Sequence, residues 1–140
     1  MLQVEFGKKE VGEDVRLKKV SLLTKDTTRI NQGTEEHLID GGIINEEGEQ
    51  VGEFTVIKAE NGFAYIDWIE IFSKTDQSYG ASAYIAIGDL LKKQGFVLVS
   101  GVIKHPAAEK IWKNLLETGK ARTGTPFEVK GDKVGEYELI

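Results

Sequence analysis

The sequence has no cysteine, two prolines and two histidines among its 140 residues. Without cysteine there can be no disulfide, no thiolate metal site and no cysteine nucleophile. The two histidines, His37 and His105, lie far apart in the chain, so a histidine-rich metal centre is not expected. No apolar stretch approaches the roughly 20 residues of a membrane-spanning helix, so neither a membrane segment nor an apolar signal core is expected.

The charges show no excess of basic residues. The net charge is −5 and the sequence pI is about 5.1. Nucleic-acid binding is therefore not expected, because it needs a concentrated positive surface. We expect one domain spanning residues 1–140 of a cytoplasmic protein, long enough to bury an apolar core without crosslinks. The oligomeric state stays open, a homodimer included.

Alternation of apolar and polar residues predicts the strands of the first half. Strands are expected at residues 2–6, 37–44, 51–59 and 63–72. Asn61-Gly62 between two apolar runs predicts a tight hairpin turn. Gly41-Gly42 within a strand indicates a bulge or a close backbone approach.

The region before residue 37 carries weaker patterns. Residues 15–23 suit either a strand or a helix face, and residues 24–34 are polar and are interpreted as a loop. No convincing amphipathic helix is found in residues 7–32.

The strand at residues 63–72 is apolar on both faces, which is typical of a central strand covered by helices. Alternation along the strand predicts that Asp67 and Glu70 point to opposite faces. One face is expected to carry Phe63, Tyr65, Ile69 and Ile71, and the other Ile66, Trp68 and Phe72.

Two helices and a final hairpin are predicted in the second half. A helix over residues 81–94 ends at Lys92-Lys93 and Gly95, and a short apolar strand at 96–102 follows. Pro106 opens a second amphipathic helix, which Gly119 ends. Residues 127–140 alternate on either side of Gly131-Asp132, which predicts a closing hairpin.

This order of elements predicts an α+β (α/β) domain. The sheet should be mixed and mostly antiparallel, with a right-handed strand–helix–strand crossover, a last helix and a C-terminal hairpin.

The turn at residues 77–82 is the first candidate site. A helix that opens on it presents unpaired backbone N–H groups and the positive end of its dipole, which favour a phosphate. Gly80 and the small residues Ala81 and Ser82 would let a ligand approach the main chain. The alternative is a polar connection in which Ser78 or Ser82 only caps the helix.

This turn resembles the coenzyme A-binding core of the GNAT superfamily of N-acyltransferases. The signature of that family is Gln/Arg-x-x-Gly-x-Gly/Ala after the central strand. Gln77, Gly80 and Ser82 stand at its three defined positions, with Ser82 in place of Gly or Ala.

A second stretch resembles the same family at the start of its last helix, where Asn-x-x-Ala-x-x-(apolar)-Tyr is common. Ala108 and Ile111 match that pattern, whereas His105 replaces Asn and Trp112 replaces Tyr. Together the two resemblances cover about half of the chain, and the region that shapes the acceptor site in the family is reduced here.

The resemblance implies a GNAT-like fold that binds acetyl-CoA. The turn amides would hold the pyrophosphate, and the central strand would flank the pantetheine arm. His105 could contact the cofactor or shuttle a proton, or only flank the helix. The implied cofactor-binding residues are Ile71, Phe72, Gln77, Tyr79, Gly80, Ala81, Ser82 and His105.

The resemblance also implies direct acetyl transfer to an amine, on a small molecule or a protein. The catalytic candidates are Glu70 and Asp67, either of which could act as a base if burial raised its pKa, or could be solvated or ion-paired. Trp112 offers no acidic proton to the leaving thiolate. A different hydroxyl (Tyr65, Tyr79, Tyr84 or Ser78) or water could supply it, or there is no catalysis.

The alternative function is that of a catalytically inactive GNAT-fold protein that acts by binding a protein partner. For the enzyme hypothesis, Gly80→Glu is expected to abolish coenzyme A binding and to leave the fold largely intact.

Overall fold

A computed structural model describes residues 18–72, 78–102 and 106–140. The strand expected at residues 2–6 lies outside them. Within them the elements are, in chain order, β1 (Ser21–Asn31), β2 (Thr34–Ile44), β3 (Gln50–Lys58), β4 (Phe63–Ile71), α1 (Ser78–Lys93), β5 (Val97–Val99), α2 (Pro106–Glu117), β6 (Ala121–Thr123), β7 (Phe127–Val129), β8 (Asp132–Val134) and β9 (Tyr137–Leu139).

The main sheet has seven strands in the order β1-β2-β3-β4-β5-β9-β6. Strands β1 to β4 form an antiparallel meander, and β4 and β5 pair in parallel through the connection made by α1. Strand β9 lies between β5 and β6 and is antiparallel to both. The predicted mixed, mostly antiparallel sheet with a strand–helix–strand connection and a last helix is confirmed.

The prediction of a loop at residues 24–34 is wrong, because β1 occupies most of this segment. Strand β1 pairs with β2 along its whole length, around a turn in which Gln32 and Gly33 both have positive φ. It lies at the edge of the sheet, and most of its side chains are exposed. Polar residues therefore fit it, and the apolar alternation on which the prediction relied is missing.

Two other turn predictions can be compared with the structure. Asn61-Gly62 joins β3 to β4 as predicted, and the Phe63 N–H donates to Asn61 Oδ1 at 3.2 Å. The irregularity in β2 lies between Ile43 and Ile44 rather than at Gly41-Gly42. Gly41 marks a close approach instead, since a Cβ there would lie 2.5 Å from the Phe54 ring.

The main core lies on the face of the sheet that both helices cover, which we call the helix face. Side chains from β2, β3 and β5 pack there against the apolar sides of α1 and α2. Its buried members include Ile39, Phe54, Val56, Ile87, Leu91, Leu98, Trp112 and Leu115.

The opposite face, which we call the hairpin face, is covered in part by the two-stranded sheet of β7 and β8. The rings of Phe63 and Phe127 stack there at 5.5 Å. A smaller apolar cluster of Leu38, Ile57, Tyr65, Val99 and Val134 lies beneath them.

The C-terminal hairpin is confirmed, with two differences from the prediction. Its turn is Lys130-Gly131, both at positive φ, and Asp132 is already the first residue of β8. The chain does not finish in this hairpin, because β9 follows it and returns to the main sheet.

Candidate functional site

Strands β4 and β5 are paired only where they begin. The parallel ladder joins Phe63 to Val97, Ala64 to Leu98 and Tyr65 to Val99, whereas β4 continues to Ile71. After Val99 the chain bonds to β9 instead of β4, because the Ser100 N–H donates to the Tyr137 carbonyl at 2.9 Å. Among the described residues no strand lies beside this edge of residues 67–71, so the two strands separate into a cleft.

The vertex of the cleft lies at a bulge in β4. Strand β3 pairs Val56 with Ile66 and Thr55 with Trp68, which leaves Asp67 without a partner. The chain just after β5 passes close to this point, because a Cβ on Gly101 would lie 2.9 Å from the Ile66 carbonyl oxygen. A side chain at residue 101 would therefore push the strands apart.

The bulge also overturns the predicted faces of β4. An extra residue reverses the alternation of every side chain after it. Ile69 pairs with Phe54 and packs on the helix face beside Ile66, whereas Trp68 and Glu70 are exposed on the other face. Asp67 also points to the hairpin face, so Asp67 and Glu70 do not lie on opposite faces.

Helix α1 begins at Ser78, earlier than predicted, and this changes the role of Gly80. Gly80 is buried in the first turn, and a Cβ on it would lie 2.9 Å from Ile111 Cδ1. Glycine here brings α1 close to α2. A side chain at residue 80 would first meet the flexible end of Ile111, which would have to shift, and the effect of Gly80→Glu on the fold stays a prediction.

The first turn of α1 still presents backbone donors. The N–H groups of Tyr79 and Gly80 lie in the first turn, where the helix offers them no carbonyl acceptor. The Ser82 N–H, by contrast, can donate to the carbonyl of residue 78 within the helix. Ala81 and Ser82 are buried, and Tyr79 is half-buried against the main core. Ser82 Oγ is buried and has no hydrogen-bond partner among the described residues.

The remaining cofactor candidates are placed only in part. Ile71 is half-buried against the helix-face core, and the Phe72 side chain is 46% exposed at the open end of the cleft. Gln77 and His105 lie outside the described residues, and their roles stay predictions.

Neither catalytic candidate is buried. Glu70 is exposed, and Asp67 is 40% exposed and ion-paired to Arg29, with 3.4 Å between Oδ2 and Nη2. The expectation that burial would favour a base is thus wrong for both, because the bulge turns them toward solvent. The ion-paired alternative applies to Asp67.

Trp112, at the position where the family carries Tyr, is a core residue. Its ring is stacked on Tyr137 at 6.0 Å and meets the edge of Tyr84 at 5.5 Å. Burial raises the pKa of Tyr84 to about 12. Tyr84 and Trp112 are thus both members of the main core.

A cavity of about 230 Å³ opens on the hairpin face at the vertex of the cleft. The predicted elements do not reveal it, because its walls come from five separate segments of the chain. It is lined by Arg29, Asn31, Glu36, Ile57, Tyr65, Ile66, Asp67, Val102, Val129, Lys130, Asp132 and Val134. We call it the vertex cavity.

Ion pairs link one side of the vertex cavity to the other. Arg29 Nε donates to Glu36 Oε1 at 2.8 Å, and Lys130 Nζ lies 3.8 Å from Glu36 Oε2. Lys130 also donates to the Asn31 carbonyl at 2.7 Å. Burial raises the pKa of Glu36, but the bonds and charges of Arg29, Asn31 and Lys130 outweigh it, so this pKa lies below its usual value.

Tyr65 is the hydroxyl among the candidates that lines the vertex cavity. Burial, together with the negative charges of Glu36 and Asp67, raises the pKa of Tyr65 to about 12. The phenol therefore stays protonated at neutral pH and can donate a hydrogen bond.

A signal for this site exists in the sequence. Arg29 and Glu36 become directly opposite once Gln32-Gly33 is recognised as a hairpin turn.

Within residues 18–72, 78–102 and 106–140, no group of His, Asp and Glu could hold a metal ion. In the same residues, no helix is long and apolar enough to cross a membrane.

No protein-family model matches the chain. No curated protein matches its sequence either.

Two solved structures are similar in shape. One is a provisionally assigned acyl-CoA N-acyltransferase from Klebsiella pneumoniae subsp. pneumoniae MGH 78578, with 17% identity, 74% of this chain and 73% of that chain covered, and a TM-score of 0.45. The other is a provisionally assigned streptothricin acetyltransferase from Bacillus anthracis str. Ames in complex with acetyl coenzyme A, with 11% identity, 92% of both chains covered and a TM-score of 0.46. At these TM-scores neither likeness by itself assigns an activity, and it is the strand order and the cleft that agree with the GNAT-like fold.

Proposed function

We propose that this protein is an acyl-CoA-dependent N-acyltransferase that transfers the acetyl group of acetyl-CoA directly to an amine. The observation that carries the proposal is the cleft between β4 and β5, with a helix N-terminus following the open end of β4 and a cavity at its vertex. An extended, amide-bearing cofactor arm would fit along such an edge.

The free edge of β4 supports binding of the arm. Residues 67–71 keep strand geometry, but on the side of β5 they have no neighbouring strand among the described residues. Unpaired backbone N–H and C=O groups on an edge form a ladder with any extended chain that offers amides. In this arrangement Ile71 and Phe72 would flank the arm, as the family resemblance implies.

The start of α1 supports binding of the phosphates. The amides of Tyr79 and Gly80 and the positive end of the helix dipole favour an anion there. Ser82 is 6% exposed, and its hydroxyl has no hydrogen-bond partner in the described part of the chain, which costs free energy unless a ligand satisfies it. These groups fit a pyrophosphate, with Gln77 and His105 as further predicted contacts.

Bound acetyl-CoA would supply the activated acetyl thioester at the vertex of the cleft. Asp67 is better placed than Glu70 to accept the proton of the amine, because Asp67 lines the vertex cavity. The ion pair with Arg29 orients the Asp67 side chain. Tyr65 is the hydroxyl best placed to donate a hydrogen bond toward the leaving sulfur.

The first experiment is a thermal-unfolding titration with acetyl-CoA, with ATP as a control. A ligand that binds only the folded state stabilises it by about 2.7 kcal/mol at 100 times its dissociation constant. For a domain of this size we expect a midpoint rise of several degrees. The absence of a shift at millimolar acetyl-CoA would contradict the proposal.

Two buried serines provide a matched pair of variants. Ser82→Ala should weaken acetyl-CoA binding by about tenfold or more, because it removes a hydrogen bond to a charged group, and it should not lower the stability of the free protein. In Ser100→Ala, by contrast, the Tyr137 amide loses its bond to Ser100 Oγ at 3.0 Å. That variant should be less stable and should bind acetyl-CoA unchanged.

The second candidate function is that of an inactive GNAT-fold protein that binds a protein partner. It is favoured by the buried Trp112, which replaces the expected acid, and by the half-exposed aromatic rings of Trp68 and Phe72. Saturable acetyl-CoA binding with no thiol release for any amine would favour this candidate.

A further inference from the structure

The vertex cavity carries an inference about the acceptor, and it rests on the proposed function. We propose that the cavity binds a short aliphatic diamine, whose first amine reacts near Asp67 and whose second ammonium is held by Asp132. The chemistry of the lining, its size and its position lead to this acceptor class.

The charges of the cavity leave one carboxylate available. Arg29 pairs with Glu36 at 2.8 Å and with Asp67 at 3.4 Å, and Lys130 lies 3.8 Å from Glu36. The cations Arg29 and Lys130 are thus both paired with Glu36 or Asp67. Asp132 lines the same cavity and has no ion pair among the described residues. The cavity therefore carries a net negative charge, which favours a cationic ligand over an anionic one.

The Asp132 side chain is exposed, and its backbone is held by pairing with Val129 in the β7–β8 hairpin. It follows the Lys130-Gly131 turn of the hairpin, and Lys130 Nζ is fixed to the Asn31 carbonyl at 2.7 Å. The negative charge of Asp132 acts on Tyr65 across the cavity, since it is among the influences, after burial, that raise the pKa of Tyr65 to about 12. A carboxylate that lines the cavity can pair with an ammonium bound there.

The size and the walls of the cavity limit the rest of the acceptor. A volume of about 230 Å³ corresponds to roughly eight water molecules at about 30 Å³ each. It lies below the roughly 300 Å³ at which pockets for larger ligands begin. Ile57, Val129 and Val134 supply apolar wall between the charged groups. A short methylene chain can lie against these side chains while charged groups bind its two ends.

The two carboxylates then have different tasks. Asp67 lies on the β4 bulge at the vertex of the cleft, and Asp132 lies on the β7–β8 hairpin. In the reaction the amine nitrogen forms a bond to the acetyl carbonyl carbon, and the carbon–sulfur bond breaks. The starting ammonium loses two protons: one ends on the sulfur of free coenzyme A, and the other leaves through Asp67 to solvent. The second ammonium of the acceptor stays charged and paired with Asp132.

Three amines of similar length test the proposal with acetyl-CoA and a thiol-release assay. These are 1,5-diaminopentane, pentylamine, which lacks the second charge, and 5-aminopentanoate, which carries a negative one. We expect kcat/KM to fall in that order, with about tenfold or more between the first two, as for loss of a charged pair. Equal rates for diaminopentane and pentylamine would overturn the proposal.

Asp132→Asn tests the assigned residue. It should raise the KM for diaminopentane by about tenfold, leave pentylamine unchanged and keep the thermal shift with acetyl-CoA. Asp132→Lys should invert the preference toward 5-aminopentanoate. If Asp132→Asn keeps the full preference for the diamine, another group recognises the second ammonium and the assignment is wrong.

Further measurements distinguish a failure of the diamine proposal from a failure of the proposed acyltransferase function. Loss of the acetyl-CoA shift, with no turnover of any amine, would contradict the proposed function. Calorimetric titration of diaminopentane into wild type and Asp132→Asn would still test the cavity in that case, and no binding to wild type would overturn the diamine proposal. Faster turnover of a blocked peptide with one lysine than of diaminopentane would also overturn it, in favour of a protein acceptor.

Discussion

The helix face and the hairpin face of this sheet differ in how their side chains are used. On the helix face, apolar side chains from strands and helices fill a continuous core, with Trp112 among the most deeply buried. On the hairpin face the apolar cluster is small, and charged side chains such as Glu36 and Arg29 line an open cavity beside it. The helix face supplies most of the apolar burial, and the hairpin face supplies groups that can recognise a ligand.

The two arrangements meet at the bulge in β4. Before it, Tyr65 contributes to the small cluster of the hairpin face, and beyond it Ile69 contributes to the main core. Asp67 stands between them, without a partner in β3 and at the mouth of the cavity. One extra residue therefore brings a charged group to the point where β5 leaves β4.

The two tryptophans of the chain provide the strongest test of this difference, since one lies on each face. Trp112→Ala removes a ring packed between Tyr84 and Tyr137. It should destabilise the protein by about 3–5 kcal/mol, through lost burial and the cavity left behind. Urea unfolding at pH 7 measures this. Trp112→Phe, which keeps an aromatic ring, should recover most of the loss, and a loss below about 1 kcal/mol in Trp112→Ala would contradict the assigned core.

Glu36→Gln tests the charged network and should have an intermediate effect. At pH 7 it should destabilise by about 1–3 kcal/mol, because Lys130 loses its carboxylate partner and Arg29 keeps only the longer pair with Asp67. The pKa of Glu36 is lowered in the folded protein from its ordinary value of 4.5. Its stabilising effect is therefore complete above pH 4.5 and is lost as the pH falls through the lower folded value.

The measurement is urea unfolding of wild type and Glu36→Gln at pH 7 and again near pH 3. The difference in the free energy of unfolding between the two proteins should shrink at the lower pH. A constant difference at both pH values would show that the charge of Glu36 does not stabilise the fold.

Trp68→Ala should have the smallest effect. Trp68 is 45% exposed on the hairpin face, beyond the part that β7 and β8 cover. Its removal should change the free energy of unfolding by about 1 kcal/mol or less. A loss comparable to that of Trp112→Ala would mean that the outer part of the hairpin face is covered, and the comparison between the faces would then fail.

Much of the fold could be predicted from local patterns. The end of α1 at Lys93 and the start of α2 at Pro106 agree with the sequence, because capping glycines and a first-turn proline act over a few residues. The Asn61-Gly62 turn was predicted for the same reason. Strand β1 was missed, because an edge strand needs no apolar alternation.

The site was predicted less completely than the fold. The turn motif correctly located the start of a helix after β4, but Gly80 contacts Ile111 on a helix far along the chain. Glu70 and Asp67 were chosen for their strand, yet their exposure depends on a bulge that alternation alone does not reveal. No local pattern brings Arg29 together with Lys130 and Asp132, since Arg29 belongs to the β1–β2 hairpin and the other two belong to the β7–β8 hairpin.

The sequence by itself determined the class of the fold, the helix ends, the central place of β4 and the excluded chemistries, because these depend on composition and on neighbours within a few residues. Only the tertiary structure decided the faces of β4 after Asp67, the early separation of β5 and the charges around the vertex cavity. These features depend on register and on contacts between distant segments, such as Lys130 with Asn31. A single residue of register reverses which side chains meet, and no local pattern carries that information.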